Sequence, residues 1–208
     1  MIAGIHQWRY ASAIIRRKRH ARRIIGQQQH PLKLHIACGQ VHFPGWVHLD
    51  ANPSISHVTA IWQDEDGLPC DDSSCSFIYN EHFLEHLPVE RGGAFLRECR
   101  RALAPGGVLR VAMPDLTECV RQYWERTWGQ QPWLSKYGYS RIRTRAEYLN
   151  ICFREWDHQW LYDREELHRR LGEAGFARIV DVSPNISEYA DLRSRETRAE
   201  SVLVCEAS

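Results

Sequence analysis

SFIYNEHFLEHLPVERGGAFLRECRRALAPGGVLRVAMPD, residues Ser76–Asp115, sets two short apolar runs on either side of a helical pattern. Ser76–Asn80 has the length and composition of a strand. Pro88 suits a first helical turn, and Phe95, Leu96, Cys99, Ala102 and Leu103 then recur at helical spacing until Pro105-Gly106-Gly107 stops them. Val108–Met113 is a second strand that exits at Pro114-Asp115. Strand, helix and strand in direct succession is the unit from which helix-covered α/β sheets are built.

Working outward, Leu32–Cys38, Trp46–Leu49 and His57–Trp62 read as three earlier strands, the second ending in Asp50 and the third running into the acidic turn QDEDGLP. A further helix is expected around Glu118–Arg126. Asp163 and Glu166 form a capping box for another, with Leu167, Leu171 and Ala174 on one face and Gly175 as its stop. Two last strands, Phe176–Val182 and Ser201–Ala207, flank a polar loop, Ser183–Glu200. Only Gln40–Gly45 links the first two strands, and only Ala51–Ser56 the next two. A helical crossover between parallel strands needs roughly a dozen residues, so helices in this half are abbreviated. Either an extended strap crosses the sheet there or the strand pairing is unusual.

The chain has 208 residues, enough for one domain with a full core. Its mean hydropathy is −0.50, and no apolar run approaches the ~18 residues of a membrane span. Seven cysteines without a C-x-x-C pair suggest neither a disulfide framework nor a thiolate zinc site, and a reducing cytoplasm is the expected setting. The net charge of +1 hides an asymmetry: residues 1–49 carry eight Lys or Arg and no acid, leaving 19 basic against 26 acidic groups in the remainder. Residues 1–30 read as a basic amphipathic leader helix centred on RRKRHARR (Arg16–Arg23), and residues 31–208 as the domain proper. The leader suits a peripheral contact with an anionic membrane through residues 1–26, ahead of nucleic acid. A helix packed on its own domain and an organellar transit peptide are the alternatives.

In open α/β sheets ligands lie at the carboxyl ends of the strands. IACG (Ile36–Gly39) makes a tight turn after the first strand. Asp50 ends the second, where a carboxylate can accept both hydroxyls of a ribose; Asp64, after the third, can accept from an exocyclic adenine amine. With LHIACG, PGWVHLD, LPCDDSSCSFIYNEHFLEHLP, FLRECRRALAPGGVLRVAMPD and HQWLYDREELHRRLGEAGF, the chain resembles the class I S-adenosylmethionine-dependent methyltransferases, and most closely their small type 11 members found among glycan-modification genes. The resemblance covers most of residues 32–182. It implies a Rossmann-like, mostly parallel sheet with S-adenosylmethionine as cofactor. The cofactor-binding positions it implies are Ala37, Cys38, Gly39 and Gln40 for the methionine part, Asp50 for ribose, Asp64 and Glu65 for adenine, and Asn80 near the methyl group. Ala37 stands where the family has the first glycine of its loop, and Val41 where it has the third. A non-catalytic scaffold that kept the fold after its loop decayed is therefore the alternative to an enzyme.

Five of the eight tryptophans lie in an aromatic-rich insertion at about 123–160, where such folds carry acceptor-binding segments. Aromatic faces with a polar rim suit a saccharide or another small polar acceptor. A sugar hydroxyl is a poor nucleophile and needs a base; His158 and His82 are the candidates, with Asp115 as orienter. His82–His86 also matches H-x-x-E-H, a zinc-protease arrangement. It starts directly after a strand and Pro88 interrupts it, so no metal is expected, and Glu85 and His86 read more simply as hydrogen-bonded groups at a helix start.

Overall fold

Along most strands, one alternate set of side chains is aliphatic and the other is mixed, and the two faces of the sheet are covered accordingly. The structure is a computed structural model that describes residues 2–208, with side chains from residue 13 onward. In chain order the elements are α1 (Ile2–Ile25), β1 (Leu32–Ile36), β2 (Val47–Asp50), β3 (Ala60–Ile61), β4 (Cys75–Glu81), α2 (Val89–Ala102), β5 (Leu103–Met113), α3 (Leu116–Glu125), α4 (Pro132–Lys136), α5 (Arg145–Arg154), α6 (Arg164–Glu173), β6 (Ile179–Asp181) and β7 (Leu203–Ala207). They form one seven-stranded sheet in the order β3-β2-β1-β4-β5-β7-β6. All pairs are parallel except those made by β7, which runs antiparallel to both β5 and β6.

Leu32, Leu34 and Ile36 of β1, Ile78 of β4, Leu109 and Val111 of β5 and Cys205 of β7 face one way, into a core shared with Ala21 and Ile25 of α1, Phe95 and Leu96 of α2, and Leu167 and Leu171 of α6. Burying each of these aliphatic side chains contributes about 1.5–3 kcal/mol. The opposite face holds Phe43, Trp46, Tyr79, Val108, Leu192 and Val204. Its cover is irregular chain, the strap 37–46 and the loop 183–202, and buried between cover and sheet are His35, His48, Arg110, Glu196 and Glu206. Backbone groups of an irregular cover can satisfy such side chains, which an apolar helix face cannot.

The short link between the first two strands is thus resolved as a strap over a parallel pair, with Leu34 opposite Val47 and Ile36 opposite Leu49. Between β1 and β4 the helical structure is reduced to a 3-10 turn at Asp64–Asp66, and a second such turn, Leu84–His86, follows β4. Three sequence expectations need correction. Only Ala60–Ile61 of the third expected strand pairs, because a single neighbour, β2, reaches it. α2 passes into β5 at Leu103 without a separate turn, and the register shifts between Cys75 and Phe77 to absorb Pro105-Gly106-Gly107. Asp163 caps α6 by accepting from the Glu166 amide at 2.9 Å, but the Glu166 carboxylate goes to Arg169, Arg170 and the Trp160 indole instead of closing the box.

The described part of α1 is packed. Ala21 and Ile25 lie in the core, and Arg17 donates to both carboxylate oxygens of Asp66 (2.6 and 2.9 Å) and to Glu65 (3.0 Å). Residue 1 and the side chains of residues 2–12, part of the leader, lie outside the described residues. No described helix is long and apolar enough to cross a membrane.

Candidate active site

The carboxyl ends of β1, β2 and β4 build one half of the site. Ala37 and Gly39 both take left-handed backbone angles, φ 51° and 53°, so the loop after β1 keeps a glycine-like shape although alanine holds the first position. That conformation costs a non-glycine residue roughly 1–2 kcal/mol. Cys38 is buried and Gln40 exposed. A side chain at Gly39 would meet nothing within 4 Å, leaving space above the loop. Asp50 holds the loop in place: its Oδ2 accepts from the Gly39 amide at 2.9 Å and its Oδ1 from the Asn52 amide at 2.9 Å. Asn80 is fully buried, with neither amide atom hydrogen-bonded within the protein. Asp64 and Glu65, on the 3-10 turn after β3, carry ion pairs to Arg91 and Arg17 respectively.

The ends of β4 and β5 open onto a cavity of about 760 Å³ that includes His82, Asp115 and His158 in its wall. All three expected catalytic residues therefore meet in one place. α3 supplies one wall, and the insertion folds back as α4 and α5 to form the roof. A full capping box between Thr144 and Glu147 starts α5. The Tyr148 hydroxyl donates to Gln122 of α3 at 2.5 Å, and Trp133 packs on Tyr148 and Trp156. The last wall is residues 198–202, which Glu81 draws against β4 by accepting from the amides of Thr197 (2.9 Å) and Arg198 (3.0 Å).

The three differ in what they can do. His158 Nδ1 lies 2.8 Å from the Cys152 carbonyl, which fixes its proton there and leaves Nε2 as a lone-pair site. Burial lowers its pKa, partly countered by that carbonyl. His82, at φ 52°, has its pKa pushed down to about 3, first by burial and then by Arg198, His86 and His158. A base that weak accepts little proton density at neutral pH. Asp115 does not orient either histidine through any described bond; its oxygen caps α3 by accepting from the Thr117 amide at 2.8 Å. The orienter of His158 is the Cys152 carbonyl. Trp156 and Asp157, immediately before His158, are both left-handed (φ 58° and 61°), a strained turn that presents the ring to the cavity.

The H-x-x-E-H reading fails in its protease form, because the segment is a strand end and a 3-10 turn and not one helix face. The simpler reading of Glu85 fails as well. Its side chain is fully buried and neither oxygen is hydrogen-bonded. No sequence signal separates such a carboxylate from a surface one, since its burial comes from the insertion folding over it.

A Methyltransferase domain family model matches residues 15–181, and the chain belongs to that family. No curated protein matches it. Among solved structures, a SAM-dependent methyltransferase from Archaeoglobus fulgidus has 15% identity and a TM-score of 0.51 over 91% of this chain and 90% of its own. The methyltransferase in complex with the Haloferax volcanii Trm112 activator has 16% identity and a TM-score of 0.50 over 99% and 95%. These likenesses concern the fold. The chain is thus a methyltransferase-domain protein whose sheet has the fold of S-adenosylmethionine-dependent methyltransferases. The open left-handed loop, the Asp50 carboxylate beside it and the orphaned Asn80 amide fit that cofactor.

Proposed function

We propose that this methyltransferase acts on a hydroxyl of a saccharide or another small polar acceptor held in the cavity beneath the aromatic insertion. The observation that carries the reading is the convergence of His82, Asp115 and His158 on one roofed cavity whose volume matches a small-molecule site. Trp133, Tyr137 and Trp156 offer ring faces, while Glu118, Gln122 and Glu200 supply a polar rim. Bound S-adenosylmethionine supplies an electrophilic methyl group on a sulfonium. The chain aligns the acceptor and takes its proton at His158 Nε2, while the Cys152 carbonyl stabilises the imidazolium so formed. His158→Ala should lower turnover by about 10²-fold or more and leave S-adenosylhomocysteine affinity nearly unchanged. Loss of both together would make His158 structural.

At the cofactor end, we assign Asp50 to the ribose hydroxyls, Asp64 and Glu65 to adenine, Ala37–Gln40 to the methionine part and Asn80 to the neighbourhood of the methyl group. Asp50→Ala should weaken S-adenosylhomocysteine binding by about 1.5–3 kcal/mol, the scale of charge-assisted hydrogen bonds. Calorimetry measures this directly, and unchanged affinity in a folded variant would remove the assignment. The exposed Arg16, Lys18, Arg19, Arg22 and Arg23 of α1 support a peripheral contact with anionic membranes. Binding to anionic vesicles that weakens as salt rises tests it.

A further inference from the structure

We propose that Glu85, His86 and His158 bind a divalent transition-metal ion of the Zn²⁺ type, with an open coordination position facing the acceptor cavity. One ligand atom from each residue lies within 4.8 Å of the other two, and the two imidazole centroids are 4.9 Å apart. Glu85 is the second, independent observation. Its carboxylate is fully buried, both oxygens lack a hydrogen-bond partner among the described residues, and His82 Nδ1 lies 3.3 Å from Oε1. A buried carboxylate needs a positive or proton-donating partner to repay its desolvation, and a cation between it and two imidazoles is one.

The second nitrogen of His158 points the same way. Its Nδ1 lies on the Cys152 carbonyl. Metal-bound imidazoles are oriented in this manner, one nitrogen held by a backbone carbonyl and the other turned to the ion. Two imidazoles and one carboxylate form a donor set for Zn²⁺ that leaves a position for water or substrate. Because His86 and His158 both line the cavity, that position faces the acceptor.

The ion's role rests on the methyltransferase reading of the cavity; its binding does not. An acceptor hydroxyl bound to the ion loses its proton to solvent. The oxygen lone pair then forms the O–CH₃ bond, the S–CH₃ bond breaks with its electron pair remaining on sulfur, and the products are the methyl ether, S-adenosylhomocysteine and one proton. With the ion bound, His158 serves the acceptor by holding it; the proton-accepting role of Nε2 belongs to the ion-free chain.

The test is calorimetric titration of the chelator-treated full chain with Zn²⁺ alone, followed by Co²⁺ binding read from its visible absorption. One ion per chain is expected. Glu85→Gln and His158→Ala should each weaken it by more than the roughly 10- to 100-fold that loss of an outer partner costs. His168→Ala, in the separate His168, Asp181 and Cys205 cluster, should leave it unchanged. No stoichiometric Zn²⁺ binding by the wild-type chain overturns the proposal, as does full affinity in either folded site variant or loss of binding in His168→Ala. If Glu85→Gln does not fold, the partly exposed His158 variant and the wild-type titration still decide. S-adenosylhomocysteine binding is measured alongside: its absence with Zn²⁺ bound would sink the methyltransferase reading alone, and its presence without Zn²⁺ binding would sink the metal site alone.

Discussion

Arg110→Leu should destabilise the protein by about 3–5 kcal/mol, the scale on which a buried ion pair fails when one partner is removed. Arg110 sits on β5 with no exposed surface. Its Nε and Nη2 donate to the two oxygens of Glu196, each at 2.8 Å, and its Nη1 donates to Glu206 of β7 at 2.6 Å and to the Ile186 carbonyl at 2.9 Å. Burial works against its charge, and the Glu196 and Glu206 carboxylates outweigh that and raise its pKa. Without the guanidinium, two carboxylates remain in a dry layer with no counter-charge. Domains of this size hold together by about 5–15 kcal/mol in all, so the variant should be marginal. Urea unfolding measures the loss as a lower midpoint. A change below about 1 kcal/mol would show that water reaches the cluster.

Acidification from pH 6.5 to pH 5 should cost about 3 kcal/mol through His35 and His48, on the opposite face from the helices. Burial, followed by His48, Arg195 and His57, lowers the His35 pKa from 6.5 to about 3. Burial, with His42 and His57, lowers that of His48 to about 4. A folded-state pKa below the unfolded one means that the unfolded chain binds the extra protons. Stability is therefore whole above 6.5 and falls as pH drops toward each folded value. The loss for each histidine starts at about half of 1.36 kcal/mol per pH unit at pH 6.5 and approaches that full slope by pH 5. His82, down to about 3, and Glu85, up to about 8, act in opposite senses over the same range and cancel. In His35→Phe, which can keep the stack on Phe43, the slope of unfolding free energy against pH should drop by about half. An unchanged slope would mean that His35 is not the proton-linked group.

The succession of strands and the helical layer were legible because aliphatic spacing is a local signal: Phe95, Leu96 and Cys99 mark α2 without outside help. The mixed face was not. His35, His48, Arg110 and Glu206 look like ordinary polar positions until a strap and a loop distant in sequence close over them. Alternation in LKLHI and VLRV does carry a trace of this, since a strand buried under helices on both faces reads as an unbroken apolar run. His82 and Asp115 could be selected because each follows a strand, and His158 because the family resemblance implies a histidine ahead of α6. Glu85 was missed, because its burial depends on Gln159 and Trp160, whose amides reach back to its carbonyl. The short helices of the insertion went unread, their aromatic residues masking any periodicity.

β7 lies inside the sheet, between β5 and β6, although it comes last in sequence. On a ribosome β5 emerges long before its neighbour, and Arg110 must wait for Glu206, 96 residues later. At usual elongation rates this is a delay of roughly 5–20 s. During it the nascent sheet exposes an unpaired β5 edge and an uncompensated guanidinium, while β1, β4 and α2 can already have assembled. The sheet is therefore completed late, and the interval before β7 pairs is when a chaperone or a second nascent chain has access to β5.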